Sequence, residues 1–344
     1  MGDNKRVLMI GSDSGSGFTL PHVRAFQALG FESIAVENRV GIYYSSQTLR
    51  RLIRTFPRLR ILKDVAIRRT NKKLISLVKE YKPFLVFGIK AENIYPETIE
   101  EIKKMGAKTA CFFIDYIDLW SVISKTAPAY DYYFSQCHVV LRRLWDELGF
   151  KNCFYMAHSS EPTPENKMIK NKKYGISFIG TRKPEYYSDR EKYLMSIKDL
   201  GLNIWGTEDW AGTSLSECYH GRAVGDQRFD IFSQSKIVVD VKRDSIPLDG
   251  LGNRPFEVTG CGTLFMTNCP SEDIERSYRD NKEVISFKNV NELREKVIYY
   301  LNHEKEREDT ARAGYNKTVA EHTYIHRVKQ LFDTMEHPEK YLYK

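Results

Sequence analysis

Two carboxylates, Asp249 and Glu257, stand with seven residues between them in the stretch Asp249-Gly-Leu-Gly-Asn-Arg-Pro-Phe-Glu-Val-Thr-Gly-Cys-Gly-Thr-Leu-Phe-Met-Thr-Asn268, and Arg254 lies between the two. The order reads as a loop, a short helix, a tight turn at Gly260 and Gly262, and a buried strand. It sets a carboxylate and free backbone N–H groups at a helix start, at the mouth of a parallel sheet. That is where open α/β sheets hold ligands. A strand–helix connection with incidental charges has the same local look, so the surroundings decide between the two.

Other side chains suit related chemistry. Arg182, Lys183 and Arg190 follow a strand-like run that ends at Gly180. Forked guanidinium donors match phosphate oxygens, although each of these cations taken singly is equally an ordinary surface charge. Asp115 opens Asp115-Tyr-Ile-Asp118 at the C-terminal end of a predicted strand, a place for a general base or for a loop cap. His158 ends the last predicted strand of the first half, as ligand or cap. His322 and His326 are four apart, but Thr323 starts a helix between them and no third ligand is in view, so no metal site is expected. No Asp-x-Asp pair is placed to bridge a metal and a diphosphate. The loop Gly11-Ser-Asp-Ser-Gly15-Ser-Gly17 has the glycine spacing of short-chain dehydrogenases. The Tyr-x3-Lys pair those enzymes need is matched only by Tyr278-Arg-Asp-Asn-Lys282, which a turn-forming Asp-Asn crosses.

Alternating strands and helices must position these groups. Strands are predicted at Lys5–Ile10, Ser33–Glu37, Phe84–Ile89, Thr109–Asp115, Tyr130–Ser135 and Asn152–Ala157. Between them come helices at Thr19–Leu29, over the basic segment Ser45–Arg69 with Pro57 breaking it, at Asn71–Tyr81 with Leu74, Leu77 and Val78 on one face, at Pro96–Met105 and at Val139–Leu148. Such alternation means a doubly wound parallel sheet. The polar, proline-bearing segment Ser159–Lys173 reads as a hinge-like linker. The pattern then restarts with strands at Tyr174–Gly180, Asn203–Gly206, Lys236–Val241, Thr263–Thr267 and Val284–Phe287. Its helices run from Asp189, as cap, to Leu200, over Arg254–Gly260, Glu292–Leu301 and Glu304–Glu321, and from Thr323, as cap, through Met335. The expected domains are 1–158, a linker 159–173, a second domain 174–322, and a helix in 323–344 that packs back toward the first domain.

Composition narrows the class. A chain of 344 residues that is 42% hydrophobic and 12% aromatic can build two cores and is not wholesale disordered. No run of about 18 uncharged apolar residues is present to span a membrane. The N-terminus enters a strand-like run almost at once, with no signal-peptide core, and Gly2 lacks the second anchor that a myristoyl group needs. Six scattered cysteines without a C-x-x-C pair read as buried reduced thiols, hence a cytoplasmic protein. The net charge of +8 is concentrated in Arg50, Arg51, Arg54, Arg58, Arg60, Lys63, Arg68, Arg69, Lys72 and Lys73. That run is either a solvated helix face or a site for an anionic partner.

The second half carries Phe178-Ile-Gly180 through Arg190, Trp205-Gly206, Trp210, Phe232 to Lys236, Asn253-Arg254-x-Phe256-Glu257 and Gly260-Cys-Gly262 in that order. Lys282-Glu283-Val284, Tyr299-Tyr-Leu301, Ala313-Gly-Tyr315 and His322-Thr-Tyr324 with Arg327 follow. This series resembles the spore-maturation (CgeB-like) glycosyltransferases of GT-B fold, closely from Tyr174 to Phe332 and more loosely over Phe84 to Ala157. The resemblance implies two facing Rossmann-like domains with parallel sheets and a nucleotide-sugar donor on the second. It extends to the wider retaining GT-B group, whose paired acidic residues contact the sugar and the ribose. Asp249 matches the first, where Glu is usual, and this departure bears on the sugar contact and the stereochemistry. Glu257 matches the second.

The expected activity is metal-independent transfer of a sugar from a nucleotide diphosphate, UDP being the expected carrier, with no cofactor. Glu257 then serves the ribose, and Arg182, Lys183, Arg190 and Arg254 the diphosphate. Gly180, Gly206, Gly260 and Gly262 allow close backbone approach, and Asp115, Asp249 and His158 are the catalytic candidates. Gly11, Ser14, Gly15 and Gly17 close over the diphosphate or the acceptor. The acceptor, whether glycan, protein, lipid-linked group or nucleic acid, is not fixed by the sequence. A transferase acting on DNA and a catalytically silent nucleotide- or glycan-binding protein are the alternatives.

Overall fold

The computed structural model describes residues 4–11, 17–37, 60–115, 117–223, 225–242 and 250–342. The chain divides into two compact units, one made of Met1–Met156 with Val328–Lys344 and the other of Ala157–Arg327. Among the described residues no helix is long and apolar enough to cross a membrane.

In the first unit, β1 (Arg6–Gly11), β2 (Glu32–Glu37), β3 (Leu85–Ile89), β4 (Lys108–Phe113), β5 (Tyr132–Ser135) and β6 (Cys153–Tyr155) form one sheet. Its order is β2-β1-β3-β4-β5-β6 and every pairing is parallel. Parallel neighbours need crossovers. These use α1 (Thr19–Ala28), α2 (Arg60–Tyr81), α3 (Pro96–Lys104), α4 (Trp120–Thr126) and α5 (His138–Leu148). Side chains alternate across a strand, so both faces must be covered. On one face Leu8, Ile10, Val86 and Cys111 pack with Leu74, Val78, Ile102 and Leu144. Phe87 is buried outside that cluster and meets Phe26 at 6.1 Å.

The end of the predicted Ser45–Arg69 helix and the predicted Asn71–Tyr81 helix form one continuous helix from Arg60. Its register buries Ile67, Leu74 and Val78 and leaves Arg68, Arg69, Lys72 and Lys73 exposed, so this part of the basic run is a solvated helix face. Arg50, Arg51, Arg54, Arg58 and Pro57 lie outside the described residues. All six cysteines are free and buried, as expected of reduced thiols.

In the second unit, β7 (Tyr174–Gly180), β8 (Leu202–Gly206), β9 (Ser235–Asp240), β10 (Leu264–Thr267) and β11 (Ile285–Ser286) pair in the order β11-β10-β9-β7-β8, again all parallel. The connecting helices are α6 (Arg190–Met195), α7 (Gln227–Ser233), α8 (Arg254–Gly260) and α9 (Ser271–Glu275), followed by α10 (Val290–Asn302) and α11 (Glu304–Glu321). Ile176, Phe178, Ile204, Ile237, Val239, Leu264 and Met266 pack with Leu194, Leu293 and Val297. Helix α6 stops at Met195 rather than reaching Leu200, and Asp189 gives it no side-chain cap bond. The chain tightens instead into a 3₁₀ turn at Lys198–Leu200, ended by Gly201 in the left-handed region.

The segment expected to be a linker is stitched to the second unit. The Ser160 N–H donates to the His322 carbonyl at 3.0 Å, Thr163 N–H to the Gly260 carbonyl at 2.8 Å, and the Tyr315 hydroxyl to the Thr163 carbonyl at 2.9 Å. Farther on, α12 (Tyr324–Glu336) opens with a reciprocal cap: Thr323 Oγ1 lies 2.7 Å from His326 Nδ1 and accepts from the His326 N–H at 3.4 Å. Later in α12, Phe332 stacks on Phe31 at 4.7 Å and meets Phe26 at 5.8 Å, inside the first unit.

Helix α11 crosses α8 at Gly314. A Cβ there would collide with the Glu283 carbonyl oxygen and sit 3.0 Å from the Thr259 Cγ2. Alanine normally favours a helix interior over glycine. Here Gly314→Ala is expected to destabilise the chain by about 1–3 kcal/mol, the usual cost of overpacking against backbone. Urea unfolding checks it, and a rise in stability would refute the close crossing.

Candidate functional site

In the second unit the strand order reverses between β7 and β9: β8 lies on one side of β7, and β9, β10 and β11 step away on the other. The loops leaving two such strands diverge and open a crevice at their carboxyl ends. Here β7 ends at Gly180 and β9 at Asp240.

Pro255 in the first turn of α8 is set for a helix start, because its ring fixes φ and its missing N–H is not needed there. One turn in, Glu257 is only 6% exposed. Its Oε1 accepts from Arg228 Nε at 2.9 Å, and its Oε2 lies 3.5 Å from Arg254 Nη1. Arg254 also donates from Nη2 to the Ile179 carbonyl of β7 at 3.2 Å and lies 5.1 Å over the Phe232 ring. The head of α8 is thereby tied to the end of β7.

Arg190, at the start of α6, is buried and spans the reversal point. Its Nη1 donates to the Thr181 carbonyl at 2.6 Å, and its Nε and Nη2 donate to the Val241 carbonyl at 3.2 and 2.5 Å. The guanidinium carbon lies 3.3 Å from the centre of the Tyr187 ring. Burial draws the Arg190 pKa below the usual arginine value, against the pull of Asp240. For Asp240 itself, burial pushes the carboxyl up, but Lys242, Arg254 and Arg190 outweigh it and hold the group below the ordinary range. Lys242 sits 3.2 Å from Asp240 and donates to the Leu251 carbonyl at 2.5 Å. Among the described residues the cluster therefore sets four cations, Arg190, Arg228, Arg254 and Lys242, against two carboxylates, Glu257 and Asp240. Such a surplus at the mouth of a parallel sheet suits a polyanion, with a fixed carboxylate beside it to accept from hydroxyls.

The expected residues fare differently. Glu257, Arg254, Arg190 and Gly180 come together. Arg182 is half-buried and pairs with Glu191 at 3.0 Å, while Lys183 is exposed. Gly180 and Gly206 face each other in register, and a Cβ on Gly206 would strike the Gly180 carbonyl oxygen, which accepts from Trp210 Nε1 at 2.9 Å. Their small size thus serves the packing of two strand ends. Gly260 ends α8, three residues after Glu257, and Gly262 lies just beyond it. The space a side chain would need is taken by Ser160, 2.9 Å from a Cβ on Gly260, and by Met168, 3.0 Å from one on Gly262. They seat the 159–168 segment and do not face the crevice. Asp249, Ser14 and Gly15 lie outside the described residues. Gly11 ends β1 against Thr19, and Gly17 precedes α1 with φ 63°.

Asp115 and His158 fall in different units. The Asp115 Oδ2 is 2.6 Å from Lys90 Nζ, which also lies 3.4 Å from Glu92. Burial would lower the Lys90 pKa, but Asp115 and Glu92 raise it. Lys90 and Ala91 hold left-handed backbone, φ 65° and 37°, just after β3, a local strain of the kind kept at functional turns. His158 is buried, and its carbonyl accepts from Arg327 Nη2 at 2.8 Å. Among the described residues no three His, Cys, Asp or Glu side chains gather to hold a metal ion.

Sequence reasoning missed Arg228, Asp240 and Lys242. The last two were findable, since they follow the apolar run Ile237-Val-Val at a predicted strand end. Arg228 carries no signal, being one cation among many in a polar stretch.

Residues 190–333 match the family model described as "Glycosyl transferase-like". A 72-residue stretch is 32% identical to the spore protein CgeB of Bacillus subtilis (strain 168), covering 21% of this chain and 21% of that protein. The match thus spans about a fifth of the length of CgeB. A glycosyltransferase from Rickettsia africae ESF-5 superposes with a TM-score of 0.64 at 12% identity, over 97% of this chain and 99% of that one. The Anabaena protein Alr3699/HepE, solved in complex with UDP, gives 0.59 at 8% identity, over 96% and 99%. The fold is GT-B, and the resemblance to CgeB-like glycosyltransferases is borne out.

Within the matched stretch, His322 lies under α8. Its Nδ1 accepts from Arg327 Nη2 at 2.7 Å, which makes Nε2 the protonated nitrogen that donates to the Ser277 carbonyl at 2.8 Å. Phe256 meets the ring edge-on at 5.2 Å. Burial first, and then the Arg327 charge, lower the His322 pKa to about 4. The unfolded chain takes up this proton near pH 6.5 and the folded chain only near 4, so stability is lost as pH falls through that window. The loss is expected to be about 2–3 kcal/mol at full protonation. Urea unfolding at pH 7 and pH 5 should show a smaller drop in His322→Gln than in the parent, and equal drops would refute a neutral buried His322.

Proposed function

We propose that this chain is a glycosyltransferase that moves a sugar from a nucleoside diphosphate carrier, UDP by preference, to an acceptor hydroxyl. The observation that carries it is Glu257, buried at the head of α8 and fixed by Arg228 and Arg254 at the carboxyl end of the sheet. A carboxylate offers about four acceptor sites. Two are engaged by the arginines, which leaves others for the ribose hydroxyls. The diphosphate is held by Arg254, Lys242 and Arg182, whose charge stabilises it as the sugar–phosphate bond breaks and the leaving group gains negative charge. The UDP complex of HepE supports UDP as carrier. In the first unit, Asp115 beside Lys90 is the candidate to take the acceptor proton, and Oδ2 must then come free of Lys90.

Two outcomes test this assignment. Replacing Glu257 by Gln removes charge-assisted hydrogen bonds worth roughly 1.5–3 kcal/mol, so UDP affinity in calorimetry should fall about ten- to hundredfold. Parental affinity in a folded Glu257→Gln variant would mean that Glu257 does not hold the nucleotide. Because side-chain cations meet the diphosphate charge, turnover should survive EDTA treatment. Full loss with rescue by Mn²⁺ would instead assign that charge to a metal.

A further inference from the structure

A cavity of about 430 Å³ lies in the second unit, beyond the C-terminal end of α8, where Gly262 lines it together with the 165–172 segment and one face of α11. Glu257 stands three residues before the end of that helix, about 4.5 Å along its axis at 1.5 Å per residue. Part of the wall is apolar: Met168, Ile169, Ala311 and Tyr315. The rest is charged, with three carboxylates, Glu165, Glu308 and Asp309, and three cations, Lys170, Lys172 and Arg312. Glu165 pairs with Arg312, Asp309 with Lys305 at 2.6 Å, and Glu308 lies 4.0 Å from Arg307. Among the described ion pairs, neither Lys170 nor Lys172 has a carboxylate partner.

Lys172 is the unusual member. Its half-buried ammonium is held by two neutral acceptors, the Ser233 carbonyl at 2.7 Å and Thr263 Oγ1 at 3.2 Å. An ammonium has three donors, so one is left over, and a half-buried cation with no carboxylate in contact gains from an anion that takes that donor. We propose that this cavity binds a small organic anion, a carboxylate or phosphate ester on a compact apolar or aromatic body, with Lys172 as its charge partner and Lys170 at the rim. The volume is that of a small-molecule site, and the mix of apolar wall with a few fixed polar groups is what such sites use.

The pH dependence singles out Lys172. Burial lowers its pKa to about 8, Cys261 and Glu308 work against that, and Arg307 adds to it. Burial pushes the neighbouring Cys261 thiol up to about 11 and also raises Tyr315. Lys172 is therefore charged below about pH 8 and neutral above it, and anion binding should weaken as pH rises from 7 to 9.

Calorimetric titration of the full chain with benzoate, phenyl phosphate and UDP tests the site. Benzoate keeps its charge across the pH range, and comparison with phenyl phosphate identifies the preferred head group. At least one aromatic anion should bind, about tenfold or more weakly in Lys172→Gln and about two- to threefold more weakly in the exposed Lys170→Gln. UDP affinity should be unchanged in both variants, which separates this site from the proposed donor site. The parental pH profile needs no variant, so it holds even where Lys172→Gln fails to fold. Absence of binding by both aromatic anions overturns the proposal, as does affinity that is flat from pH 7 to 9 or unaltered in both lysine variants.

Discussion

A seven-residue helix cannot stand alone in water, yet α8 carries the one carboxylate on which the site turns. Its stability must come from outside, and the chain supplies polar anchors along its whole length. At the head, Arg228 and Arg254 grip Glu257, whose burial without them would leave an uncompensated charge. In the last turn, Thr259 Oγ1 lies 2.7 Å from Thr318 Oγ1 and 3.1 Å from the Tyr278 hydroxyl, which is itself 2.8 Å from Thr318. At the tail, the Thr163 N–H meets the Gly260 carbonyl. Six of its seven residues are buried, so the helix is an internal pin and not a surface element.

The motifs that carried the family resemblance are mostly this support. Glu283 is buried and receives three N–H bonds from Arg279, from the backbone at 2.8 Å and from Nε and Nη2 at 2.9 and 2.7 Å. Gly314 lets α11 approach, His322 lies beneath Phe256, and Arg327 holds the carbonyls of Ala157 and His158. Such groups are legible as a series because each has a fixed partner at a fixed place in the chain. Their roles are not legible, since a glycine required by a close crossing and a glycine required by a ligand look alike in sequence. That is why Gly260 and Gly262 were read toward the crevice and turned out to seat Ser160 and Met168.

The parallel sheets were readable from apolar runs bounded by turn residues, and Tyr174–Gly180 and Glu304–Glu321 come out with the predicted ends. The short helices Trp120–Thr126 and Gln227–Ser233 escaped, because two turns of helix carry too few apolar positions to show a period. The segment 159–173 misled for a different reason. Polar, proline-bearing sequence is typical of free linkers, but this one finds carbonyl and hydroxyl partners that only the folded second unit provides.

The division of the chain has a consequence for its synthesis. The first unit is built from two separated pieces, and Phe332 in the later one fills the aromatic cluster around Phe26, Phe31 and Phe84. A ribosome delivers chain in order, so the usual rule that the N-terminal domain matures first is inverted here. The second unit is complete once Arg327 has emerged, while the first still exposes the aromatic cluster that awaits Phe332. During that interval the nascent chain is at its most vulnerable to aggregation and to chaperone capture, at the end of its sequence that was made earliest.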